Sequence, residues 1–266
     1  MNKSPLRYPG GKTRACKILD EIIKQHFEIA GFDRIISPFF GGGSFEFYMQ
    51  NKYHLSIIAN DKFTPLSNFW LTCKSNKAEL VQELYKKIDK ITKADFLEYR
   101  SQIMTESQQL DQSVMYFIIN RCSFSGATLS GGFSQEASKK RFTPSSIQKI
   151  DQLCLDQFKI ANMNFDEFLA QLPVCQRDLL FLDPPYYLER GSKLYGESGD
   201  MHEGFPHELL FQVISVKQNW IMTYNDCKYI RDLYKDYTII PAKWSYGMNK
   251  TKKSSEIVII GHTGHI

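Results

Sequence analysis

The chain has 266 residues, of which 42% are hydrophobic, 23% charged and 14% aromatic. This composition predicts a globular protein with a sizeable core, and it excludes a disordered chain, a collagen-like repeat and a coiled coil. No stretch approaches the ~18 uninterrupted apolar residues that a membrane span requires, and we see no apolar signal segment. Six widely spaced cysteines without a Cys-x-x-Cys pair favour reduced thiols. We therefore expect a cytoplasmic protein.

The net charge of +4 is small, but the basic residues are unevenly distributed. Basic clusters lie at 139–141 and at 250–253. Such clusters are usually solvated faces, so by themselves they permit an anionic partner without requiring one. The six histidines show no spacing typical of metal ligands, and we predict no metal site.

Helix and strand patterns alternate along the first sixty residues. Apolar residues at helical spacing predict a helix over 12–27, and a short strand over 34–37 leads into the glycines 41–43. A helix is expected to begin near Ser44, and the next strand, over 55–60, ends at Asp61.

The middle of the chain has a different pattern. Residues from about 66 to 120 have helical spacing, with one helix marked by apolar residues from Leu80 to Ile91. The polar, glycine-broken stretch that follows predicts a hairpin or long surface loop near 126–142.

Alternation returns after about 145. We predict strands over 158–161, 178–182, 220–224, 237–240 and 257–260, with helices over 165–172, 206–217 and 226–234. The third and fourth of these strands are almost continuously apolar, which is typical of buried parallel strands. Alternation on both sides of a helical block predicts an α/β domain that carries an insertion.

The most specific motif is Asp183-Pro184-Pro185-Tyr186, which directly follows an apolar strand. A proline stop with a packed tyrosine is the plain alternative, but strand ends at the carboxyl edge of an open α/β sheet are where ligands bind. A carboxylate and a backbone carbonyl held rigidly by two prolines can accept both N–H groups of an exocyclic amine. They would stabilise the charge that develops as a methyl group arrives. The adjacent aromatic ring can stack on a base flipped out of a duplex.

The second motif is a glycine-rich turn between a strand and a helix, which lets a ligand approach the backbone. Its residues are Pro38, Phe39, Phe40, Gly41, Gly42, Gly43 and Ser44. No Gly-Lys-Ser/Thr follows, so phosphate is the less favoured guest. Asp61 comes about 20 residues later, where an acid would hold the ribose hydroxyls of a nucleoside. An ordinary strand-end turn is an equally good interpretation of Asp61 alone.

The third motif, Arg-Tyr-Pro-Gly-Gly-Lys at 7–12, precedes the first helix. A flexible start with a helix cap is its default interpretation. Beside the other two motifs it acquires a function, because Lys12 could neutralise a ligand carboxylate and Tyr8 could line the site.

With these motifs the sequence resembles the α-group DNA adenine-N6 methyltransferases, the Dam-like family. The resemblance covers nearly the whole chain, and the motifs follow that family's order. The segments that carry it are 7–12, 38–44, Asp61, Asn120-Arg121, 183–186 and 255–259.

The resemblance implies an α/β fold, a Rossmann-like methyltransferase sheet that binds S-adenosylmethionine (AdoMet), with an inserted, mainly helical target recognition domain. Residues 1–64 and 148–266 would form the discontinuous catalytic domain. Residues 65–147, with the hairpin near 126–142, would form the recognition domain. The implied reaction moves a methyl group from AdoMet to N6 of a flipped adenine in duplex DNA, leaves S-adenosylhomocysteine, and uses no metal.

The resemblance also implies the site residues. The catalytic residues would be Asp183, Pro184, Pro185 and Tyr186. The cofactor-binding residues would be Tyr8, Lys12, Pro38, Phe39, Gly41, Gly43, Ser44, Asp61, Asn164, Phe165 and Asp183. The DNA-binding residues would be Arg121, Phe124, Ser130, Lys139, Arg141, Tyr195, Lys250 and Lys252, with Tyr195 in a long polar loop expected to order on substrate.

Three positions depart from the family pattern. Ser37 stands where members often have an acid, and Asn164 stands where they often have Asp. Leu129 stands where GATC-reading members have an arginine, and a leucine cannot make the bidentate contact to guanine, worth ~1–3 kcal/mol of discrimination. We therefore predict a target other than GATC, read partly through Lys139 or Arg141. The alternative is that another arginine substitutes in space.

Two rival functions remain from the sequence. The first keeps the fold but acts on RNA or on cytosine N4. Asp before Pro-Pro argues against cytosine, and the large insertion argues for duplex DNA. The second is a non-catalytic DNA-binding regulator, against which an intact Asp183 argues. We expect double-stranded DNA as partner, a cognate restriction endonuclease as a further candidate, and a monomer or weak dimer.

Overall fold

The strands of the described residues form one sheet in the computed structural model, which describes residues 1–126, 129–187, 204–242 and 256–261. The strands are β1 (Arg34–Ser37), β2 (Ser56–Asn60), β3 (Phe158–Ala161), β4 (Asp178–Leu182), β5 (Trp220–Asn225), β6 (Thr238–Ala242) and β7 (Glu256–Gly261). Each of the seven was predicted within two residues at either end.

The strand order in the sheet is β3-β2-β1-β4-β5-β7-β6. Neighbours from β3 to β5 are parallel, whereas β7 pairs antiparallel with both β5 and β6. The chain proceeds outward in opposite directions from β1 and β4, so these adjacent strands form the topological switch point. In open α/β sheets ligands bind in the crevice outside the carboxyl ends of the strands at this point.

The helices of the described residues lie before and between these strands. They are α1 (Cys16–His26), α2 (Ser44–Tyr53), α3 (Thr64–Ser75), α4 (Lys77–Lys87), α5 (Lys93–Gln102), α6 (Gln109–Cys122), α7 (Gln135–Lys140), α8 (Pro144–Asp151), α9 (Phe165–Gln171), α10 (His207–Ser215) and α11 (Lys228–Leu233). The predicted α/β fold with a helical insertion is confirmed, and the insertion comprises α3 to α8. In the described part of the chain no helix combines the length and apolar character needed to cross a bilayer.

The predicted hairpin near 126–142 is wrong. A short 3-10 helix ends at Gly126, one isolated bridge joins Ser123 to Phe133, and α7 follows. The Ser134 side chain accepts a hydrogen bond from the Ala137 backbone N–H at 3.1 Å and so caps α7. This cap starts a helix where the glycine-broken pattern had indicated extended chain.

Two further predictions are corrected. The helix expected to extend to Ile91 ends at Lys87, because Ile88 leaves helical geometry and Asp89 has a left-handed φ of 60°. The strand at 237–240, expected to be buried and parallel, is partly exposed and antiparallel to β7. These apolar residues belong to the outermost strand of the sheet, because β7 lies between β6 and β5.

The hydrophobic core connects the helical insertion to the sheet. Phe40, Phe47, Trp70 and Phe158 pack with ring centroids 5.2–6.3 Å apart. The Trp70 indole N–H donates to the Gly41 carbonyl at 3.0 Å. The insertion is therefore anchored at the glycine turn, so its position is tied to the carboxyl edge of the sheet.

Candidate active site

The Asp183 carboxylate, directly after β4, is the centre of the site. The Lys12 ammonium lies 2.7 Å from Oδ1 and 2.8 Å from Oδ2, and the Thr223 hydroxyl donates to Oδ1 at 2.6 Å. Lys12 and Thr223 are buried, whereas 23% of the Asp183 side chain is exposed. The two donors hold a carboxylate that still reaches the surface. Lys12 thus forms an ion pair with Asp183, whereas the sequence had suggested that it could neutralise the carboxylate of a ligand.

Tyr186 lies beside this ion pair. The Lys12 Nζ is 5.2 Å from the centroid of its ring, within cation–π range. The phenol donates to Oε2 of the buried Glu256 at 2.5 Å, and the Tyr224 ring packs 6.0 Å away. Pro184 and Pro185 have fixed φ angles between the carboxylate and the ring, so both groups are attached to a stiff segment.

The glycine turn runs from the end of β1 into α2. Gly41 and Gly43 have left-handed φ angles of 51° and 65°, which favour glycine. A Cβ on Gly41 would lie 2.8 Å from Cε1 of Tyr8, so the tyrosine ring covers this turn. At the start of α2, the Ser44 hydroxyl accepts a hydrogen bond from Thr13 at 3.0 Å. The first two motifs of the chain therefore pack directly on each other.

Asp61 belongs to the same turn. Its carboxylate accepts the Gly41 N–H and the Phe63 N–H, each at 2.9 Å. Burial raises the pKa of the Asp61 carboxyl to about 6, although the two amide hydrogen bonds act in the opposite direction. The sequence had suggested that Asp61 and the glycine turn belong to one site, and the structure brings them into contact.

Next to the turn, three phenylalanine rings form an aromatic cluster. Phe39, Phe165 and Phe205 have ring centroids 5.4–5.7 Å apart. Asn164 is exposed at the start of α9. Phe205 was not identified from the sequence, since a single aromatic after a polar stretch carries no distinctive signal.

Asn60, at the end of β2, was also missed. Its amide group donates to the carbonyls of Pro38 and Met163 at 3.1 and 3.0 Å, and its Oδ1 accepts the Met163 N–H at 3.1 Å. This buried side chain thereby joins the segments that follow β1, β2 and β3.

A buried acid, Glu46, lies behind the ion pair. Its Oε1 accepts the Ser37 hydroxyl at 2.6 Å. Burial raises the pKa of the Glu46 carboxyl to about 7; the Ser37 hydrogen bond and Lys12 favour its charged form, while Asp183 opposes it. Ser37, where the family pattern has an acid, thus has a carboxyl beside it in space. The sequence signal was a glutamate in an otherwise apolar helix start.

The Asn120-Arg121 motif holds the N-terminal segment. The Asn120 side chain accepts the Arg7 N–H at 2.9 Å and donates to the Arg7 carbonyl at 2.8 Å. The Arg121 guanidinium is buried and donates to the carbonyls of Pro5 and Arg141 at 3.2 and 2.7 Å. Burial, Arg7 and Arg141 lower the pKa of Arg121 to about 10. The donors of Arg121 therefore bind backbone inside the protein, and its contact with DNA stays a prediction.

The remaining predicted DNA contacts divide into two groups. Phe124 is 72% exposed, and Ser130, Lys139 and Arg141 are also exposed. Leu129 instead packs on the hydrophobic core. Outside the described residues lie Tyr195, Lys250 and Lys252. Among the described residues, no group of three or more His, Cys, Asp or Glu side chains could hold a metal ion.

The sheet order and the held carboxylate at its switch point define an α/β enzyme with its site at the carboxyl edge. The family model of the D12 class N6 adenine-specific DNA methyltransferases matches residues 8–248. The chain belongs to this family, and it is an adenine-specific DNA methyltransferase. The predicted resemblance and fold class are thereby confirmed.

A curated relative agrees with this assignment. The "Type II methyltransferase M.MjaIII" of Methanocaldococcus jannaschii is 22% identical over 199 residues, which are 68% of this chain and 68% of the relative.

Proposed function

We propose that this enzyme transfers a methyl group from AdoMet to N6 of an adenine flipped out of duplex DNA. The observation that carries the proposal is the Asp183 carboxylate, held by Lys12 and Thr223 and open at the carboxyl edge of the sheet beside Tyr186. When bound, AdoMet supplies an electrophilic methyl group on its sulfonium.

The residues around the glycine turn fit this cofactor. The left-handed glycines place no Cβ on the turn, Asp61 can accept ribose hydroxyls, and Phe39 with Phe165 offers an apolar surface for an adenine. The full set that we assign to the cofactor is Tyr8, Lys12, Pro38, Phe39, Gly41, Gly43, Ser44, Asp61, Asn164, Phe165 and Asp183. In this set Lys12 acts through Asp183.

Asp183 and the Pro-Pro backbone perform the polar part of the chemistry. The amine of adenine is a poor nucleophile because its lone pair is delocalised into the ring. A carboxylate and a carbonyl that accept its two N–H groups draw the nitrogen toward tetrahedral geometry and stabilise the developing positive charge. The Lys12 and Thr223 contacts fix the carboxylate beforehand, so no reorganisation is needed during transfer.

The flipped base would be held by Tyr186, whose ring can stack on it. Phe124 supports a duplex substrate, since an exposed aromatic ring near the Arg7 segment is available to stack on bases beside the flipped one. Lys139 and Arg141, at the end of α7, supply positive charge for phosphates or base edges.

We propose a target other than GATC. Leu129 packs on the core, which supports its exclusion from base reading, whereas Lys139 and Arg141 are exposed. Long-read sequencing of DNA from cells that express the protein, with Asp183→Ala as control, will report the methylated motif. The proposal would be contradicted by complete N6-methyladenine at GATC sites in cells that express the wild-type protein, if cells that express Asp183→Ala lack it.

The transfer itself is tested with tritiated AdoMet and mixed genomic DNA, followed by nucleoside mass spectrometry. We expect label in N6-methyladenine, and none with Asp183→Ala. Label in N4-methylcytosine, or label only in RNA, would contradict the proposed substrate. Because the M. jannaschii relative is described as a type II methyltransferase, we also propose that the enzyme protects DNA from a partner endonuclease. We propose that it acts in the cytoplasm as a monomer or weak dimer.

A further inference from the structure

Two buried polar side chains on β5 and β7 contact the Asp183–Tyr186 motif. These strands are adjacent and antiparallel, with Thr223 opposite Val258 and Asn225 opposite Glu256. Thr223 has no exposed surface and Glu256 is 2% exposed. A polar side chain buried this deeply is costly unless it forms a hydrogen bond, so each of the two needs a partner.

Thr223 contacts the carboxylate. Its hydroxyl donates to Oδ1 of Asp183 at 2.6 Å, and the same oxygen lies 2.7 Å from the Lys12 ammonium. Oδ2 has Lys12 at 2.8 Å. The hydroxyl thus selects one rotation of the carboxylate about its Cβ–Cγ bond and directs Oδ1 toward β5. Oδ2 accepts from Lys12 but not from Thr223, and it is the oxygen that keeps acceptor capacity for an incoming amine.

Glu256 contacts the aromatic ring. Its Oε2 accepts the Tyr186 phenol at 2.5 Å, while Lys12 and the Tyr224 ring flank Tyr186 from other sides. A ring bonded at its far end to a buried carboxylate cannot swing freely about χ1 and χ2. Its face is therefore presented in one orientation.

We propose that Thr223 and Glu256 are positioning residues of the methyl transfer, Thr223 for the Asp183 carboxylate and Glu256 for the Tyr186 ring. The inference rests on the proposed functions of Asp183 and Tyr186. The two residues would act on different steps: Thr223 affects the chemical step, and Glu256 affects the binding of the flipped base. Active-site groups need such support, since a displacement of about 1 Å can cost on the order of a hundredfold in rate.

Thr223 is tested with Thr223→Val, which is nearly isosteric, and Thr223→Ser, which keeps the hydroxyl. Single-turnover methylation of a duplex that contains the sequenced motif is measured, together with the KM for DNA and for AdoMet. We expect Thr223→Val to lower the rate constant about ten- to hundredfold with both KM values within about twofold, and Thr223→Ser to stay within about threefold of wild type. Equal rates for all three proteins, or equal losses in both variants, would overturn this part.

Glu256 is tested with Glu256→Leu, which removes the acceptor, and Glu256→Gln, whose amide oxygen can still accept the phenol. The readout is the fluorescence of 2-aminopurine at the target position, which rises when the base leaves the stack. We expect a smaller rise with Glu256→Leu and a nearly normal one with Glu256→Gln. Tyr186→Phe breaks the same hydrogen bond from the other side, so it should reproduce the loss and add nothing to Glu256→Leu.

Tyr186→Phe also keeps the test decisive if Glu256→Leu does not fold. A normal fluorescence rise with Tyr186→Phe would overturn the role of Glu256. Wild-type enzyme without N6-methyladenine product would overturn the proposed function and this inference together. Active wild type with unaffected Thr223→Val and Tyr186→Phe would overturn the inference alone.

Discussion

The two ends of β4 each carry an aspartate paired with a cation from a distant part of the chain. At the amino end, the Arg34 guanidinium donates to both oxygens of Asp178 at 2.6 Å, and the Cys175 N–H adds a bond at 2.8 Å. At the carboxyl end, Lys12 and Thr223 hold Asp183. The chemistry of the two pairs is similar, but their surroundings differ.

That difference separates a structural ion pair from a functional one. The Asp178 side chain has no exposed surface; burial opposes its ionisation, yet Arg34 and the Cys175 amide outweigh burial and lower its pKa. Asp183 is 23% exposed and lies at the sheet edge where ligands bind. A carboxylate that is fully enclosed in the fold can only stabilise it, whereas one that is partly exposed can also accept a hydrogen bond from a substrate.

Asp183→Ala, at the carboxyl end of β4, should have the largest effect of these substitutions. We expect the methyl-transfer rate to fall by a factor of hundreds or more, the scale of losing one charge-stabilising group, while DNA binding remains largely intact. Single-turnover kinetics and a DNA-binding titration measure the two quantities. A wild-type rate would falsify the assigned role of Asp183.

Asp178→Asn, at the amino end of β4, should instead lower the stability of the fold. We expect the free energy of unfolding to fall by about 3 kcal/mol at pH 7, because a buried ion pair loses one charge. The folded pKa of Asp178 is lowered, so its stabilisation is present above about pH 4 and disappears as the pH falls through the folded value. Urea unfolding at pH 7 and in acid checks both the size and this trend.

The neighbouring pair offers a matched control. Arg177 donates to both oxygens of Asp33 in a fully exposed pair at the same edge of the sheet. Because solvent screens it, Arg177→Ala should leave the unfolding midpoint nearly unchanged. A loss as large as that of Asp178→Asn would show that burial does not distinguish the two pairs.

Asp61→Ala tests a second carboxylate at the carboxyl edge of the sheet, for comparison with Asp183. The carboxylate supports the glycine turn and is assigned to ribose hydroxyls, so its loss should weaken AdoMet binding by roughly 1.5–3 kcal/mol. Calorimetry on the folded variant gives the affinity. If that affinity equalled wild type, Asp61 would be an ordinary turn residue.

Glu46→Gln should have an effect on stability that appears only as the pH is raised. The folded pKa of Glu46, about 7, exceeds its ordinary value of 4.5, so between these values the folded protein holds a proton that the unfolded chain has lost. Stability therefore falls as the pH rises through this window, and a neutral glutamine abolishes the fall. Relative to wild type, we expect Glu46→Gln to gain about 3 kcal/mol between pH 4.5 and pH 8. A pH-independent difference in urea unfolding would contradict the raised pKa.

Sequence patterns predicted the elements well where the pattern and the environment agree. The strands at 34–37, 158–161 and 178–182 match to the residue. In the first and third of these, successive apolar residues face the cores on opposite sides of the sheet. The stretch near 126–142 failed since a serine cap and local packing favoured a helix over its glycine-broken pattern. For 237–240, apolar content could not reveal that β7 lies between it and the parallel strands.

The site was predicted in part for similar reasons. Asp183, Asp61 and the glycine turn were identified because each adjoins a strand end, a position readable from local pattern. The partner of Lys12 is 171 positions away in sequence, and Thr223 and Glu256 are isolated polar residues in largely apolar strands. Arg121 had the right charge for DNA but is buried against carbonyls.

The sequence by itself determined the α/β class, the strand ends that bear the motifs, and the Asp183-Pro-Pro-Tyr186 segment, since these depend on short-range periodicity and on the rigidity of proline. Only the tertiary structure decided which oxygens of Asp183 are held, that Tyr186 is bonded to Glu256, and that Arg121 is buried against backbone carbonyls. Those outcomes depend on contacts between residues far apart in the chain, and the balance of burial and hydrogen bonding at such contacts is set by packing.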